Sequence, residues 1–570
     1  MRFVGKENMP PPETVGKGPI IFFDVEVYPN LFIVCWKYEG DPVVVRMINP
    51  TGHDIEPLLS QKLVGFNNRR YDNHILYARY IGYNLDELHR LSQKLIAGNQ
   101  TAGFGEAYNL SYADIYDFSS KKQGLKKFQI ELGIPHMELD IPWDQPVDEG
   151  LWGKVEDYCA NDVSATDAVF QARKQDFVAR QILADISGLS VNHTTQQHTA
   201  RILFGEDKRP QDKFVYTDLS NLFKGYIFDG KESTYLGETV GEGGYVYAEP
   251  GIYENVTLLD VASMHPASIE ALNAFGPYTA KFSELKAARM AIKHKDFDQA
   301  RSMLDGKLVP FLADAEGDPQ SSQDLAYALK IVINIVYGLT SARFDNPFRD
   351  NRNKDNIVAK RGALFMIDLK RAVQEKGFTV AHIKTDSIKI PDATQEIVDF
   401  VIEFGKGYGY DFELEGVYEK FCLVNDAVYI ARMGEDWYAV GKQFQHPYVY
   451  KTLFTHEGVE FDDLCEVRNV TKGTIYLDTS GTGEVEKMVH IGRTGSFVPV
   501  RDGGGELWRV DGDKVHAVTG TKGYRWVTRE VAANREMNDD LFVDMEYFEK
   551  MAQEAKAAID KFGSYSDFVS

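Results

Sequence analysis

The chain of 570 residues is long enough for about three to five domains of roughly 100 to 200 residues each. Its 44% hydrophobic and 12% aromatic content excludes widespread disorder. A formal net charge of −22 excludes a surface that is basic all over, so a polyanionic partner has to be held in one cleft lined locally by Lys and Arg.

Met1–Gly18 is polar and Pro-rich and lacks the apolar stretch of a secretion signal, and no apolar run is long enough to span a bilayer. Cys35, Cys159, Cys422 and Cys465 are too far apart for a metal-binding pair and read as reduced thiols. Together these features predict a cytoplasmic chain without a membrane anchor. Ile20–Glu26 predicts a strand, Leu31–Tyr38 a second across the Tyr28-Pro29-Asn30 turn, and Lys62–Phe66 another. Asp72–Ile81 predicts a helix, and helical sequence around Val155–Ala184 closes an α/β block near residue 190. Residues 191–245 are less regular and read as a connection. Thr257–Val261 predicts a strand. Phe282–Met303 and Asp324–Tyr337 predict two helices flanking the turn-rich Gly306–Gln320, hence a projecting helical hairpin. Ala359–Lys376 predicts a helix, and Thr379–Ile390 a β-hairpin with Thr385 and Asp386 at its tip. From about residue 431 the chain is Gly-rich and β-like, with turns at Asp502–Gly505 and Asp511–Asp513, and it ends in a helix over Met545–Phe562.

Asp24 and Glu26 are two apart on a strand and share a face, as do Tyr158 and Asp162, four apart on a helix. Asp72 begins a helix directly after a strand. Were these elements to converge, the carboxylates would resist ionisation unless divalent cations neutralised them, and oxygen donors of this kind suit Mg²⁺ or Mn²⁺. Further on, Asp260 ends an apolar strand and Asp386 tips the hairpin. Lys330, Asn334 and Tyr337 line one helix face, and Lys286, Arg289 and Lys293 line a face of the preceding helix. The two faces read either as a cationic slot for a triphosphate or, for the second, as an ordinary solvated charge stripe. Two acids to hold metal and a cation to hold a triphosphate are what nucleotidyl transfer requires.

The ordered set Asp24, Glu26, Asp72, Tyr158 and Asp162 resembles the proofreading 3′-to-5′ exonucleases that use four acids and a tyrosine. Asp260–Pro266, Lys330–Gly338 and Lys384–Ser387 resemble motifs A, B and C of the family B DNA polymerases, the Lys-x-x-x-Asn-x-x-Tyr-Gly pattern being the most specific. Gly243-Gly244 resembles the glycine pair between exonuclease and polymerase domains in small phage members. The resemblance covers roughly residues 20–430 and implies a multidomain chain of α/β and α+β type. A ribonuclease H-like exonuclease domain over 1–190 and a connecting region over 191–245 would precede a right-hand polymerase. Its palm would be 246–275 and 341–430, its fingers 276–340, and its thumb and C-terminal region 431–570.

The same resemblance implies primer-template DNA, dNTPs and a single-stranded 3′ end as partners, and two Mg²⁺ or Mn²⁺ ions in each active site. In the first site one metal would generate hydroxide and the other would stabilise the leaving 3′ oxygen. Tyr158 would orient the water, and Asn68 and Tyr71 would hold the strand. In the second, Asp260, Asp386 and the Val261 carbonyl would hold the metals. Lys330, Asn334, Tyr337, Ser263, His265, Arg289 and Lys293 would surround the nucleotide, and Gly243, Gly244 and Tyr429 would touch DNA.

Several positions depart from the family pattern. Motif A usually reads Ser-Leu-Tyr-Pro, but this chain has Ser263-Met-His-Pro266, so His265 stands where the tyrosine packs beneath the sugar. Motif C usually reads Asp-Thr-Asp, but here it is Lys384-Thr385-Asp386, and Lys384 either contacts phosphate or pairs with a neighbouring carboxylate. Ala427-Val-Tyr429 keeps only the tyrosine of a Lys-x-Tyr primer contact. Ile269–Asp324 and Gly338–Lys384 are too short for the insertions of protein-primed members. Arg69-Arg70, Lys121–Lys127 and the group Arg349, Arg352, Lys354, Lys360 and Arg361 read either as DNA-backbone contacts or as solvated surface charge, the position of the last group just after motif B favouring DNA. Two other readings are an exonuclease whose polymerase module only binds DNA, and a replication factor that keeps the fold without chemistry. The intact acids in both modules weigh against the second.

Overall fold

The computed structural model describes residues 19–99, 101–135, 137, 139, 141–528 and 543–570, so the expectation for Met1–Gly18 lies outside the described residues. The described chain divides into two compact units, one from Met1–His198 with Cys465–Val543 and one from Thr199–Leu464 with Asp544–Ser570.

The first unit opens on Ile20–Tyr28 (β1), which returns as Leu31–Tyr38 (β2) through a tight turn. The Asn30 amide fixes that turn by bonding the Val147 backbone in both directions at 2.8 Å. Val45–Ile48 (β3), Lys62–Gly65 (β4) and Ala113–Asp114 (β5) complete a five-stranded sheet of order β3-β2-β1-β4-β5. β4 runs parallel to both β1 and β5, while the β1–β2 and β2–β3 pairs are antiparallel. Both faces are covered, which is why β1 and β2 read as nearly continuous apolar runs. On one face Phe22, Tyr28 and Ile33 pack with Val155, Cys159 and Phe170 of the Trp152–Ala172 helix. On the other, Phe23, Val25 and Val34 pack with Ile75 and Leu76 of the Asp72–Tyr80 helix. The period-2 alternation of β1 therefore turns Asp24 and Glu26, like Phe22, toward the helix that carries Tyr158 and Asp162.

In the second unit, Ile227–Phe228 (β6), Ser233–Tyr235 (β7) and Glu238–Val240 (β8) form a small sheet inside the expected connecting region. Val246–Ala248 (β9), Gly251–Val261 (β10), His382–Lys384 (β11), Ser387–Pro391 (β12), Phe412–Asn425 (β13), Val428–Met433 (β14) and Asp436–Val440 (β15) form a seven-stranded antiparallel sheet. Its order is β15-β14-β13-β10-β12-β11-β9. Leu259, Val261, Ile383 and Ile388 point to one face and pack beneath the helices Met264–Ala271, Ile357–Glu375 and Gln395–Gly407. Alternation sends Leu258 and Asp260 to the other face.

The expected Phe282–Met303 helix ends at Lys293, because Lys295 takes a left-handed φ of 62° and Asp296 caps a new helix, Phe297–Arg301. Gly306–Gln320 is not a turn throughout: it holds the Val309–Gly317 helix. Asp318 then caps a long Pro319–Ser341 helix by accepting from the Gln320 and Ser321 amides, so this helix begins before the expected Asp324.

The C-terminal region expected over 431–570 is divided between the two units. Glu466–Asn469 (β16), Thr474–Asp478 (β17), Val489–Gly492 (β18), Thr494–Pro499 (β19), Glu506–Asp511 (β20), Lys514–Ala517 (β21) and Tyr524–Trp526 (β22) make two small sheets, β16-β19-β22 and β18-β17-β20-β21. Ile475, Ile491, Phe497, Leu507 and Tyr524 give them a core of their own. Within the first unit, β19 packs against the Leu125–Glu131 helix. Residues 431–464 and the Met545–Asp560 helix belong to the second unit. Among the described residues all four cysteines are free, and no helix is long and apolar enough to cross a membrane.

Candidate active sites

Four carboxylates of the first unit feel one another. Burial, then Asp72, Glu26 and Asp162, push the Asp24 carboxyl well above the ordinary range, and the Lys126 ammonium opposes them. The Cys159 thiol donates to the Asp24 backbone and side-chain oxygens at 3.5 and 3.7 Å. Asp72 is pushed up to about 7 by burial first and by Asp114, against amide donors that include Val25. Asp162 accepts from the Lys126 ammonium at 2.5 Å and from Gln129 at 3.4 Å. The same ammonium lies 4.2 Å from the centroid of the Tyr158 ring. Lys126 thus belongs to the acid cluster, which corrects its reading as a DNA-backbone contact. A buried carboxylate set is relieved by keeping protons or by a nearby cation, and Lys126, one helical turn from Gln129 on a short helix, is in reach.

Asn68 is buried, donating to Asn73 at 2.9 Å while its own carbonyl oxygen has no partner among the described residues. The Tyr71 hydroxyl bonds Ser92 at 2.7 Å. Arg69 is also corrected: it is 3% exposed and spent inside the unit on Asp117, Asn109 and the Tyr108 and Asn192 carbonyls. Arg70 is exposed, and Lys121 pairs with Glu131 at 2.6 Å.

In the second unit, the β10–β12 register sets Asp260 directly opposite Ser387, and the β10–β13 register sets it opposite Glu413. The Val261 amide donates to the Asp386 carbonyl at 2.9 Å, tying the end of β10 to the hairpin tip. Asp260 is pushed up to about 7 by burial, then by Asp386, Glu415 and Glu413, with Lys389 opposing. Asp386 is raised by burial. Thr385 sits at a left-handed φ of 56°, with its amide bonded to the Tyr245 carbonyl at 2.9 Å. A Cβ on Gly244, at φ +152°, would stand 3.0 Å from the Thr385 methyl, so the glycine pair lets the chain lie directly on the tip that presents Asp386.

The His265 ring stacks on Tyr337, with centroids 3.7 Å apart and planes 13° from parallel. Burial pushes His265 down to about 4, so the imidazole is neutral at pH 7. Lys330 and Asn334 are exposed on the same helix face as the half-buried Tyr337, and Leu329, Val332, Ile333 and Val336 fill the buried side. Arg289 is half-buried, with its guanidinium lowered by burial alone; Lys293 and Ser263 are exposed. Lys286 drops out of the cationic face because it pairs with Glu270 at 2.6 Å.

Lys384 is exposed and makes no ion pair among the described residues, so pairing with a neighbouring carboxylate is not what it does here. Tyr429 lies beside His382, with ring centroids 5.7 Å apart. Three further basic residues are corrected. The Lys360 ammonium is buried on the Val240 and Gly241 carbonyls at 2.7 and 2.6 Å, and Arg361 donates to the Tyr408 carbonyl at 2.6 Å. Arg352 is held by Asp350 and the Phe214 carbonyl. Arg343, Arg349 and Lys354, with Lys231 and Gly243, line a cleft of about 850 Å³.

Lys389 is the site residue that sequence alone does not single out. Its one signal is a lysine in phase with Ser387 in an otherwise apolar strand. The donor chemistry of both sites, carboxylate and carbonyl oxygen only, fits a hard divalent cation. Among the described residues, however, no three His, Cys, Asp or Glu side chains converge closely enough to ligate one ion by themselves.

No protein-family model matches the chain, and no curated protein matches it. The chain is similar to a solved structure of the family B DNA polymerase from the hyperthermophilic archaeon Pyrobaculum calidifontis. The two share 14% identity over 95% of this chain and 77% of that one, with a TM-score of 0.43.

Proposed function

We propose that the chain is a DNA-directed DNA polymerase of family B, of the small phage type, with a 3′-to-5′ proofreading exonuclease, one site in each unit. The observation that carries this reading is that Asp260 and Asp386, two acids far apart in sequence, meet at one end of the sheet: the Val261 amide donates to the Asp386 carbonyl, and β10 pairs with the strand that starts at Ser387. Mg²⁺ or Mn²⁺ held by Asp260, Asp386 and the Val261 carbonyl would supply neutralisation of the triphosphate charge. The chain's own groups do the rest. Lys330, Asn334, Arg289 and Lys293 take the phosphates, and the His265–Tyr337 stack forms a flat wall for the sugar and base, with Ser263 beside it. Gly243, Gly244 and Tyr429 face the primer-template.

In the exonuclease site, Asp24, Glu26, Asp72 and Asp162 would hold the same kind of ion. Tyr158 and Lys126 would orient the attacking water and the phosphate, and Asn68 and Tyr71 would seat the single-stranded 3′ end. Soluble action in the host cytoplasm follows from the same reading. The test is extension of a recessed primer with Mg²⁺ and dNTPs by the wild type, Asp260→Ala and Asp386→Ala, beside degradation of single strands by Asp24→Ala. Extension that survives loss of Asp260 overturns the polymerase assignment, and degradation that survives loss of Asp24 overturns the exonuclease assignment.

A further inference from the structure

The second acid site holds a cation supplied by the chain itself. Lys389 lies in β12 between Ile388 and Ile390, which point into the core under the helices. Strand alternation therefore turns Lys389 to the opposite face, the face of Ser387 and Asp260. One rung of the sheet runs Lys384, Ser387, Asp260 and Glu413, and the next runs His382, Lys389 and Leu258. Lys389 is thus the diagonal neighbour of Asp260, and it lies three residues beyond Asp386, which sits in the turn before β12.

The residue is only 3% exposed. Its ammonium donates to the Ser387 hydroxyl at 3.2 Å and lies 5.6 Å from the Tyr429 ring centroid. No carboxylate of the described residues forms a direct ion pair with it, although its strand is hydrogen-bonded to the strand that carries Asp260. Burying an ammonium without a contact counter-ion is unfavourable, and a methionine of similar shape would fill the same space at lower cost. The charge is therefore the feature that needs an explanation, and its neighbours supply one: Asp260, Asp386, Glu413 and Glu415 crowd one end of the sheet.

Resting on the reading of this site as a polymerase centre, we propose that Lys389 is a positioning residue whose fixed positive charge offsets the acid pair. It places a positive charge diagonally across the rung from Asp260, three residues beyond Asp386, and it sets how tightly a divalent cation is held there. A cation entering beside the acids is repelled by the ammonium, so the site binds metal more weakly than two unopposed carboxylates would. Register places the lysine backbone beside Asp260, and its burial and its bond to Ser387 hold the side chain there.

The test uses the full chain carrying Asp24→Ala, which disables the other acid site, and titrates it with Mn²⁺ while free Mn²⁺ is followed by its paramagnetic resonance. Lys389→Met should tighten Mn²⁺ binding about tenfold or more and slow primer extension with little change in KM for dNTP, whereas Lys389→Arg should stay near the parent. A purely structural lysine would give the reverse, with equal or weaker Mn²⁺ binding in the methionine variant, and that result overturns the proposal. Thermal melts report whether the variants fold, and Lys389→Gln is the second neutral variant should Lys389→Met fail to fold. Failure of the parent chain to extend a primer would remove the polymerase reading. The Mn²⁺ contrast among the three variants would still decide the role of Lys389.

Discussion

The two acid sites solve one problem in two ways. Each crowds carboxylates until their protons are hard to lose, and each keeps a lysine beside them. In the first unit Lys126 comes from a short helix and reaches Asp162 directly at 2.5 Å. In the second, Lys389 comes from a central strand and stands off, bonded to Ser387 instead. Lys126 keeps part of its side chain in solvent, whereas Lys389 is only 3% exposed and burial pushes its ammonium down to about 8.

The contrast between the sites is tested most severely by removing one acid from each. Asp260→Ala should lower primer extension by about a thousandfold and leave single-strand degradation intact, and Asp24→Ala should do the opposite, both read on labelled primers. Parallel loss of both activities in either variant would mean that the sites do not act separately.

Lys126→Met is the next largest. It should slow degradation by about ten- to hundredfold and leave extension unchanged, because its ion pair and ring contact lie entirely in the first unit. An equal effect on extension would show that the lysine serves the whole chain.

A pH series reads the two acid clusters side by side. Asp72 and Asp260 both sit near about 7 in the metal-free chain, above the unfolded carboxylate value of about 4. The folded state therefore holds those protons more tightly, and the stability they contribute is present below about pH 4 and lost as pH rises through about 7. Buried His198, His265 and His382 act in the opposite sense. Their folded values are pushed down to about 3, 4 and 4, so they cost stability as pH falls below about 6.5. The difference in melting temperature with and without Mg²⁺ separates the two, since only the carboxylates exchange a proton for metal. That difference should grow from about pH 5 to about pH 8, and Asp72→Asn and Asp260→Asn should each reduce it. A pH-independent difference would put the metal elsewhere.

The smallest expected effect concerns sugar selection. His265→Tyr should improve rejection of ribonucleotides by no more than about tenfold, because the stack on Tyr337 already places a flat ring at that position. Measured discrimination between dNTP and NTP that does not change at all would remove His265 from the sugar contact.

Much of this arrangement is legible in the order of the residues. Strand periodicity alone places Asp24 with Glu26, and the apolar runs around Asp386 locate the hairpin tip. The helix face of Lys330, Asn334 and Tyr337 follows from spacing. What spacing does not convey is the fate of the basic residues. Arg69, Lys126, Lys360 and Arg361 all resemble surface charges on polar segments, and each is bound to carbonyls or acids from other parts of the chain. The helix over Val309–Gly317 is hidden by its Pro and Gly residues, which sit at its first turn and its end where they do no harm.

Which face of each element carries its acids, and which acids stand in motif order, is written in the chain itself, because those properties depend on periods of two and 3.6 residues along the backbone. Folding in three dimensions settles which lysine answers each acid cluster, lays His265 flat on Tyr337, and groups residues 465–543 with the first unit rather than with their neighbours in sequence. Those facts depend on contacts between distant segments, where burial sets how strongly each charge needs a partner and packing decides which partner is in reach.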